Sequence, residues 1–174
     1  FWLFSKEEKL KKNIILIGMP GVGKSSVGVV LAKALGYHFV DSDLVIQQTQ
    51  GKLLCEIIEE YGNDGFLQIE NRINSGIDVD RTVLATGGSA VYGREAMEHF
   101  KNIGTVLYMK AEYDTINSRL SNLVGRGVAM KSGQTLRDLY EERSELYEKY
   151  ADITVVVDNM SIEEIISNIL KKYV

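Results

Sequence analysis

The most constraining feature of the chain is a short glycine-rich segment near its start. Residues 18–25 read G-M-P-G-V-G-K-S, which matches the phosphate-binding pattern G-x-x-x-x-G-K-[S/T]. An apolar run at 13–18 comes before it, and a segment with helical spacing at 24–35 follows. In such a loop, backbone N–H groups and the N-terminus of the following helix face an anion. The segment therefore predicts a nucleotide-binding α/β domain.

Each residue type in the loop has a chemical reason. Glycines let the backbone curl around phosphate oxygens, Lys24 supplies a positive charge to the β- and γ-phosphates, and the Ser25 hydroxyl can bind Mg²⁺. We therefore expect ATP and Mg²⁺ as cofactors. The loop residues expected to bind the nucleotide are Gly21, Val22, Gly23, Lys24, Ser25 and Ser26.

Apolar segments with strand character recur along the chain and alternate with helical ones. They lie at residues 13–18, 37–41, 82–86, 105–109 and 153–157. This alternation predicts a doubly wound α/β domain with a mostly parallel sheet. Ligands of such sheets bind beyond the carboxyl ends of the strands, where the chain carries the phosphate loop, Asp41 and Gly87.

The helical segments have recognisable ends. Residues 44–76 are predicted to form two or three helices interrupted at Gly51 and Gly62. Further helices are expected at 113–120 and 135–150, and Ser161 opens the last one, with Glu164 completing a capping box.

Length and composition exclude several classes of protein. The 174 residues fit one domain, which we assign to 13–174 behind an N-terminal extension at 1–12. A net charge of −4 disfavours general binding of nucleic acid or anionic membranes, and no apolar run has the length of a membrane span. The single cysteine, Cys55, cannot form an internal disulfide, and this favours a cytoplasmic location. Cys55 itself is expected in the core.

The acidic residues narrow the kind of phosphate-loop protein. The GTPase strings D-x-x-G and N-K-x-D are absent, and the acid ending the last apolar strand, Asp158, lies too far along the chain for the usual ATPase arrangement. Asp41 and Asp43 remain at a strand end. Asp41 can hold Mg²⁺ together with Ser25, and Asp43 can act as the general base toward an acceptor hydroxyl. The alternative is that either acid only caps the helix that follows.

The order of these motifs resembles the shikimate kinase family. After the phosphate loop come D-S-D at 41–43, the F-x-x-I-E segment at 66–70, the Gly87-Gly88 pair, and R-x-x-L-Y-x-x-x-A at 143–151. The resemblance implies a five-stranded parallel sheet, as in nucleoside monophosphate kinases, with a mobile lid at about 121–133. It also implies ATP-dependent phosphorylation of the 3-hydroxyl of shikimate, by a monomer that acts on a small molecule.

The resemblance assigns roles to further residues. Arg126 matches a lid arginine that closes over the phosphates, and Arg119 matches a residue that stacks on adenine. Gly87 and Gly88 correspond to glycines that let the backbone approach the substrate ring. Arg143 matches one of two arginines that grip the shikimate carboxylate. By the same resemblance, the predicted catalytic residues are Asp43, Lys24 and Arg126.

Three positions depart from the family pattern. Leu67 stands where the family has its second carboxylate-binding arginine, which normally lies near the glutamate matched by Glu70. Ser89 replaces the third glycine of a triplet, and Gly127-Val128 replaces Pro-Leu after the lid arginine. Losing one charge-assisted hydrogen bond weakens binding by about 1.5–3 kcal/mol.

These departures leave two questions open at the level of sequence. On a helix Arg72 points about 140° away from the direction of Leu67, so it cannot take over that role, whereas Arg81, Arg94 and Lys52 remain possible replacements. The acceptor is either shikimate or another small hydroxylated metabolite, unless the chain is a non-catalytic nucleotide-binding module. The loop reads phosphates, so the base of the donor nucleotide stays open.

Overall fold

The computed structural model describes residues 12–121 and 128–173. Within them, five β-strands alternate with seven α-helices. The strands are β1 (Ile14–Ile17), β2 (His38–Asp41), β3 (Thr82–Ala85), β4 (Thr105–Lys110) and β5 (Ile153–Val156). The helices are α1 (Lys24–Leu35), α2 (Ser42–Gln50), α3 (Leu54–Ser75), α4 (Arg94–Ile103), α5 (Tyr113–Ser121), α6 (Leu136–Tyr150) and α7 (Ile162–Tyr173).

The strands form one sheet in the order β2-β3-β1-β4-β5, and every neighbouring pair is parallel. All residues of β1 and β3 are buried, because central strands of a doubly wound sheet are covered by helices on both faces. Ile14 of β1 pairs with Val83 on one side and with Thr105 on the other. The predicted five-stranded parallel sheet is therefore confirmed.

This strand order brings the polar segments to one edge. The phosphate loop follows β1 at the centre, Asp41 ends β2, and Thr86 follows β3. Helix α1 packs close to the sheet at Gly28, where a Cβ atom would lie 2.7 Å from the ring of Phe39. The first turn of α1 is thereby held against the carboxyl ends of the strands.

The helix boundaries follow the predicted signals. Gly51, with φ 65°, ends α2, and α3 is kinked at Gly62, with φ 70° and ψ 177°. At the start of α7, Ser161 and Glu164 make both hydrogen bonds of the capping box, at 2.7 and 3.2 Å. Helix α4 was not anticipated; Ala96, Met97 and Phe100 form its buried face, and Ile103 packs partly buried against the core.

Two further predictions have different outcomes. The prediction for Cys55 is wrong: its side chain is exposed because the first turn of α3 borders a cavity and not the core. The N-terminal extension and the centre of the lid, residues 122–127, lie outside the described residues. None of the helices in 12–121 and 128–173 has the length and apolar composition needed to span a membrane.

Candidate active site

A cavity of about 700 Å³ lies at the carboxyl edge of the sheet. The phosphate loop forms one end, and the starts of α2 and α3 form a side wall. The turn at residues 87–89, the side chain of Arg143 and Ala129 also line the cavity. The cavity thus joins four of the sequence motifs that lie far apart along the chain.

The side chain of Lys24 folds back onto the phosphate loop. Gly21 and Gly23 have φ values of 79° and 103°, a left-handed region that favours glycine. The Nζ atom of Lys24 donates hydrogen bonds to the carbonyl oxygens of Gly18, at 2.7 Å, and Met19, at 2.9 Å. Burial lowers the pKa of Lys24 to about 8, and the nearby carboxylate of Asp43 acts in the opposite direction.

Asp41 links the phosphate loop to α2. Its Oδ2 atom accepts a hydrogen bond from the Ser25 hydroxyl at 2.8 Å, and its Oδ1 atom accepts one from the backbone N–H of Asp43 at 2.9 Å. Asp41 is therefore the N-cap of α2, as the alternative interpretation expected. The same carboxylate, beside the Ser25 hydroxyl, offers the oxygen ligands that Mg²⁺ prefers.

Asp43 lines the cavity from the first turn of α2. Its Oδ1 atom lies 2.6 Å from the position that a Cβ atom at Gly87 would occupy. Burial raises the pKa of Asp43 to about 6, and the charge of Asp41 raises it further, while Lys24 lowers it. This half-buried carboxylate at the cavity wall is thus a candidate proton acceptor.

Gly87 and Gly88 are required by close approach. A Cβ atom at Gly88 would lie 2.6 Å from Cδ of Pro20 and 2.9 Å from Nη1 of Arg143. The carbonyl oxygen of Gly88 accepts a hydrogen bond from the Tyr147 hydroxyl at 2.6 Å. The turn is therefore fixed between the phosphate loop and α6, with no room for a side chain at either glycine.

Arg143 carries its charge into the interior. The residue is only 1% exposed, although α6 is rich in charged residues, so it makes no surface pair with a neighbouring glutamate. Nη2 donates to the carbonyl oxygen of Ala129 at 2.8 Å, whereas the buried Nε has no hydrogen-bond partner among the described residues. A guanidinium at the wall of a cavity is suited to an anionic ligand.

Other predicted site residues lie at the margin of the cavity or beyond it. Arg119 donates from Nη1 to the carbonyl oxygens of Gly21, at 3.3 Å, and Val22, at 3.0 Å, so it contacts the outside of the phosphate loop. Ser26 lines the cavity, whereas Val22 and Arg119 do not. Arg126 lies outside the described residues.

Among the described residues, none of the basic side chains considered as a replacement for an arginine at position 67 reaches the cavity. Arg81 lies over the ring of Tyr37, Arg94 pairs with Glu98, Lys52 pairs with Glu60, and Arg72 is exposed. None of them lines the cavity, where the basic side chains are Lys24 and Arg143. Residues that the sequence analysis did not place in the site are Ala129 and Tyr147, which hold Arg143 and Gly88 through hydrogen bonds.

Comparison with known proteins decides the family. The family model described as shikimate kinase matches residues 20–174. This chain belongs to the shikimate kinase family. Members of this family are kinases that use ATP and transfer phosphate to a hydroxyl group, so the predicted family, fold class and type of reaction are confirmed.

Individual relatives agree over nearly the whole length. The chain is 36% identical over 165 residues to a shikimate kinase of Thermodesulfovibrio yellowstonii, covering 93% of this chain and 95% of that one. It is 36% identical over 164 residues to a shikimate kinase of Clostridium botulinum, with 93% and 97% covered. The structure of shikimate kinase from Acinetobacter baumannii in complex with shikimate matches with TM-score 0.83 and 31% identity, over 92% of this chain and 91% of that one.

Proposed function

We propose that this chain transfers the γ-phosphoryl group of ATP to the 3-hydroxyl of shikimate, giving shikimate 3-phosphate and ADP. The observation that carries the proposal is that a carboxylate and a buried guanidinium line one cavity. Asp43 lies next to Gly87 and Arg143 next to Gly88, and Lys24 lines the same cavity. A hydroxylated acid fits this arrangement, with its hydroxyl at Asp43 and its carboxylate at Arg143.

Asp43 is the proposed general base. Its carboxylate would accept a hydrogen bond from the acceptor hydroxyl and take the proton as the oxygen attacks the γ-phosphorus. The bond from phosphorus to the β,γ-bridging oxygen breaks, and ADP leaves with the electron pair. Lys24 exchanges its two carbonyl partners for phosphate oxygens and offsets the charge that develops on the transferred group.

Mg²⁺ is the proposed metal, and the residues fit it. Ser25 and Asp41 offer a hydroxyl and a carboxylate oxygen 2.8 Å apart, beside the phosphate loop. Mg²⁺ is commonly bound by one or two protein groups plus substrate phosphates and water. When bound there, it would neutralise charge on the β- and γ-phosphates.

The remaining predicted contacts belong to the nucleotide. We assign the loop residues Gly21, Val22, Gly23, Lys24, Ser25 and Ser26 to the phosphates, as the sequence motif predicts. Arg119 is proposed to contact adenine and Arg126 the phosphates, by resemblance to the family. Because one chain supplies both the phosphate loop and the acceptor end of the cavity, we propose that it acts as a monomer, in the cytoplasm.

A second acceptor is supported by the composition of the cavity wall. Leu53, Leu54 and Phe66 line the acceptor end, and Arg143 supplies the guanidinium there. Such a wall would also accept a hydroxylated metabolite with a smaller anionic group or none. The acceptor must therefore be tested and not assumed.

Release of ADP from Mg·ATP, with and without shikimate, tests the function. We expect shikimate-dependent turnover that Asp43→Asn abolishes, whereas Asp64→Asn, a change at an exposed aspartate of α3, leaves it unchanged. A panel of polyols and other hydroxylated acids runs in parallel. Turnover with a panel member and not with shikimate would favour the second acceptor. ATP binding without any acceptor-dependent turnover would contradict both and favour a nucleotide-binding module.

A further inference from the structure

Glu70 is a buried carboxyl group directly behind the acceptor site. Its side chain is 2% exposed on α3, and Oε2 accepts a hydrogen bond from the Ser89 hydroxyl at 2.7 Å. Oε1 has no hydrogen-bond partner among the described residues, and it lies 3.0 Å from the position that a Cβ atom at Gly87 would occupy. Asp43 approaches the same position from the cavity side, at 2.6 Å. The two carboxyl groups therefore both border the backbone of Gly87.

A carboxyl group buried to this degree needs a partner. In the part of the chain that the structure describes, no cation is hydrogen-bonded to Glu70, because Arg143 directs Nη2 to the carbonyl oxygen of Ala129. Burial raises the pKa of Glu70 to about 7, while the hydrogen bond from Ser89 acts in the opposite direction. The Ser89 hydroxyl is thus the group that holds this carboxyl in place.

Among the described residues, the hydroxyl of Ser89 makes its hydrogen bond to Glu70 and not to the backbone of its own turn. Ser89 begins the short 3-10 turn Ala90–Tyr92, a position where a serine commonly caps the backbone, yet its side chain makes no capping hydrogen bond. Its hydroxyl instead reaches across to α3. This contact ties the turn that carries Gly87 and Gly88 to the helix that carries Glu70.

Leu67 lies one helical turn before Glu70. Positions three apart on a helix are neighbours, so an arginine at position 67 would reach the Glu70 carboxyl. Leu67 instead packs with the apolar cluster of Ile46, Ile57 and Phe66. Glu70 therefore has no basic neighbour one turn earlier on its own helix, and its hydrogen-bond partner among the described residues is the Ser89 hydroxyl.

We propose that positions 67 and 89 are coupled through Glu70: with an apolar residue at 67, the Ser89 hydroxyl is the partner that a basic residue at that position would otherwise supply. Glu70 is then a positioning residue, since it keeps the Gly87 turn and Asp43 in place for the acceptor. Arg143 is left as the one described guanidinium for the acceptor's anionic group. The kinetic test of this inference rests on the proposed function, because it needs shikimate as the acceptor.

A double-mutant cycle between positions 67 and 89 tests the coupling. We expect Ser89→Gly to raise the KM for shikimate about tenfold while the KM for ATP stays within about twofold. Leu67→Arg should then lower the KM for shikimate at least about fivefold more in the Ser89→Gly background than in the wild type. Ser89→Thr, which keeps the hydroxyl, should stay close to wild type. Ser75→Ala, which removes another serine hydroxyl bonded on α3, is the control for general destabilisation.

The unfolding temperatures of the same four proteins give a readout that needs no acceptor. Ser89→Gly should lower this temperature, and Leu67→Arg should restore it only in that background. Additive effects in both readouts would overturn the coupling. If the wild type shows no turnover with shikimate, the proposed function fails, and the unfolding cycle alone supports or overturns the pairing.

Discussion

Replacing Arg143 by methionine should separate acceptor binding from folding. The arginine is buried, it donates one hydrogen bond to Ala129, and its Nε is unused. Methionine fills a similar volume without charge. We therefore expect a stable protein that binds ATP and has lost its grip on the acceptor.

The magnitude follows from the donors that Arg143 has available. One charge-assisted hydrogen bond is worth about 1.5–3 kcal/mol, so its loss lowers kcat/KM for shikimate about 10- to 150-fold. A carboxylate bound by two parallel donors would lose more. The KM for ATP should not rise, because the charge of Arg143 lowers the pKa of Lys24 and its removal favours the protonated lysine.

The effect on stability should be small or favourable. Arg143 makes no salt bridge among the described residues, and removing a buried charge relieves its desolvation; the loss of its charge also removes an interaction that lowers the pKa of Glu70. Against this, the carbonyl oxygen of Ala129 loses its donor, at a cost of about 1–3 kcal/mol. We expect an unfolding temperature within about 4 °C of wild type.

The assay is ADP release at varied shikimate and ATP concentrations, combined with thermal unfolding. Arg143→Lys, which keeps the charge and loses the planar fork, should give an intermediate kcat/KM. A kcat/KM for shikimate within threefold of wild type in a folded Arg143→Met protein would refute the reasoning, because the acceptor's carboxylate would then be held elsewhere.

Three further predictions concern other parts of the site. Gly88→Ala places a methyl group 2.6 Å from Pro20, so we expect both KM values to rise and kcat/KM for shikimate to fall at least about tenfold in steady-state kinetics. Asp41→Asn should raise the Mg²⁺ concentration for half-maximal activity about tenfold or more and leave the unfolding temperature nearly unchanged, because asparagine caps a helix about as well as aspartate. An unchanged Mg²⁺ dependence would remove Asp41 from the metal site. Glu70 has its pKa raised from 4.5 to about 7 in the folded protein, so its contribution to stability is present below pH 4.5 and is lost as pH rises through 7. Between pH 4.5 and 7, the free energy of unfolding of Glu70→Gln in urea should therefore rise by about 3 kcal/mol relative to that of the wild type. A difference between the two proteins that does not change with pH would contradict the raised pKa.

Local sequence was sufficient for the elements of the fold and for the phosphate end of the site. The apolar runs at β1 and β3 are continuous because both faces of a central parallel strand are covered, and that pattern is visible in sequence. The breaks at Gly51 and Gly62 follow from backbone conformations that glycine adopts readily. The loop at 18–25 is contiguous, so its chemistry could be read residue by residue.

The acceptor end depended on contacts that no local pattern encodes. Whether Arg143 in a charged helix is buried or exposed is decided by how α6 packs beside the Gly88 turn, and the sequence alone allowed both. The exposure of Cys55 was likewise decided by the cavity that opens beside the first turn of α3.

The sequence by itself determined the nucleotide loop, the order of the motifs along the chain and the family, because each depends on contiguous residues or on the spacing between them. Only the tertiary structure decided which distant groups share the cavity. It paired Ser89 with Glu70, 19 residues apart, and brought the carboxyl groups of Asp43 and Glu70 together beside Gly87. Such pairings depend on how turns and helices pack after the sheet has formed, and a polar side chain's partner is chosen by proximity in space and by burial, not by position along the chain.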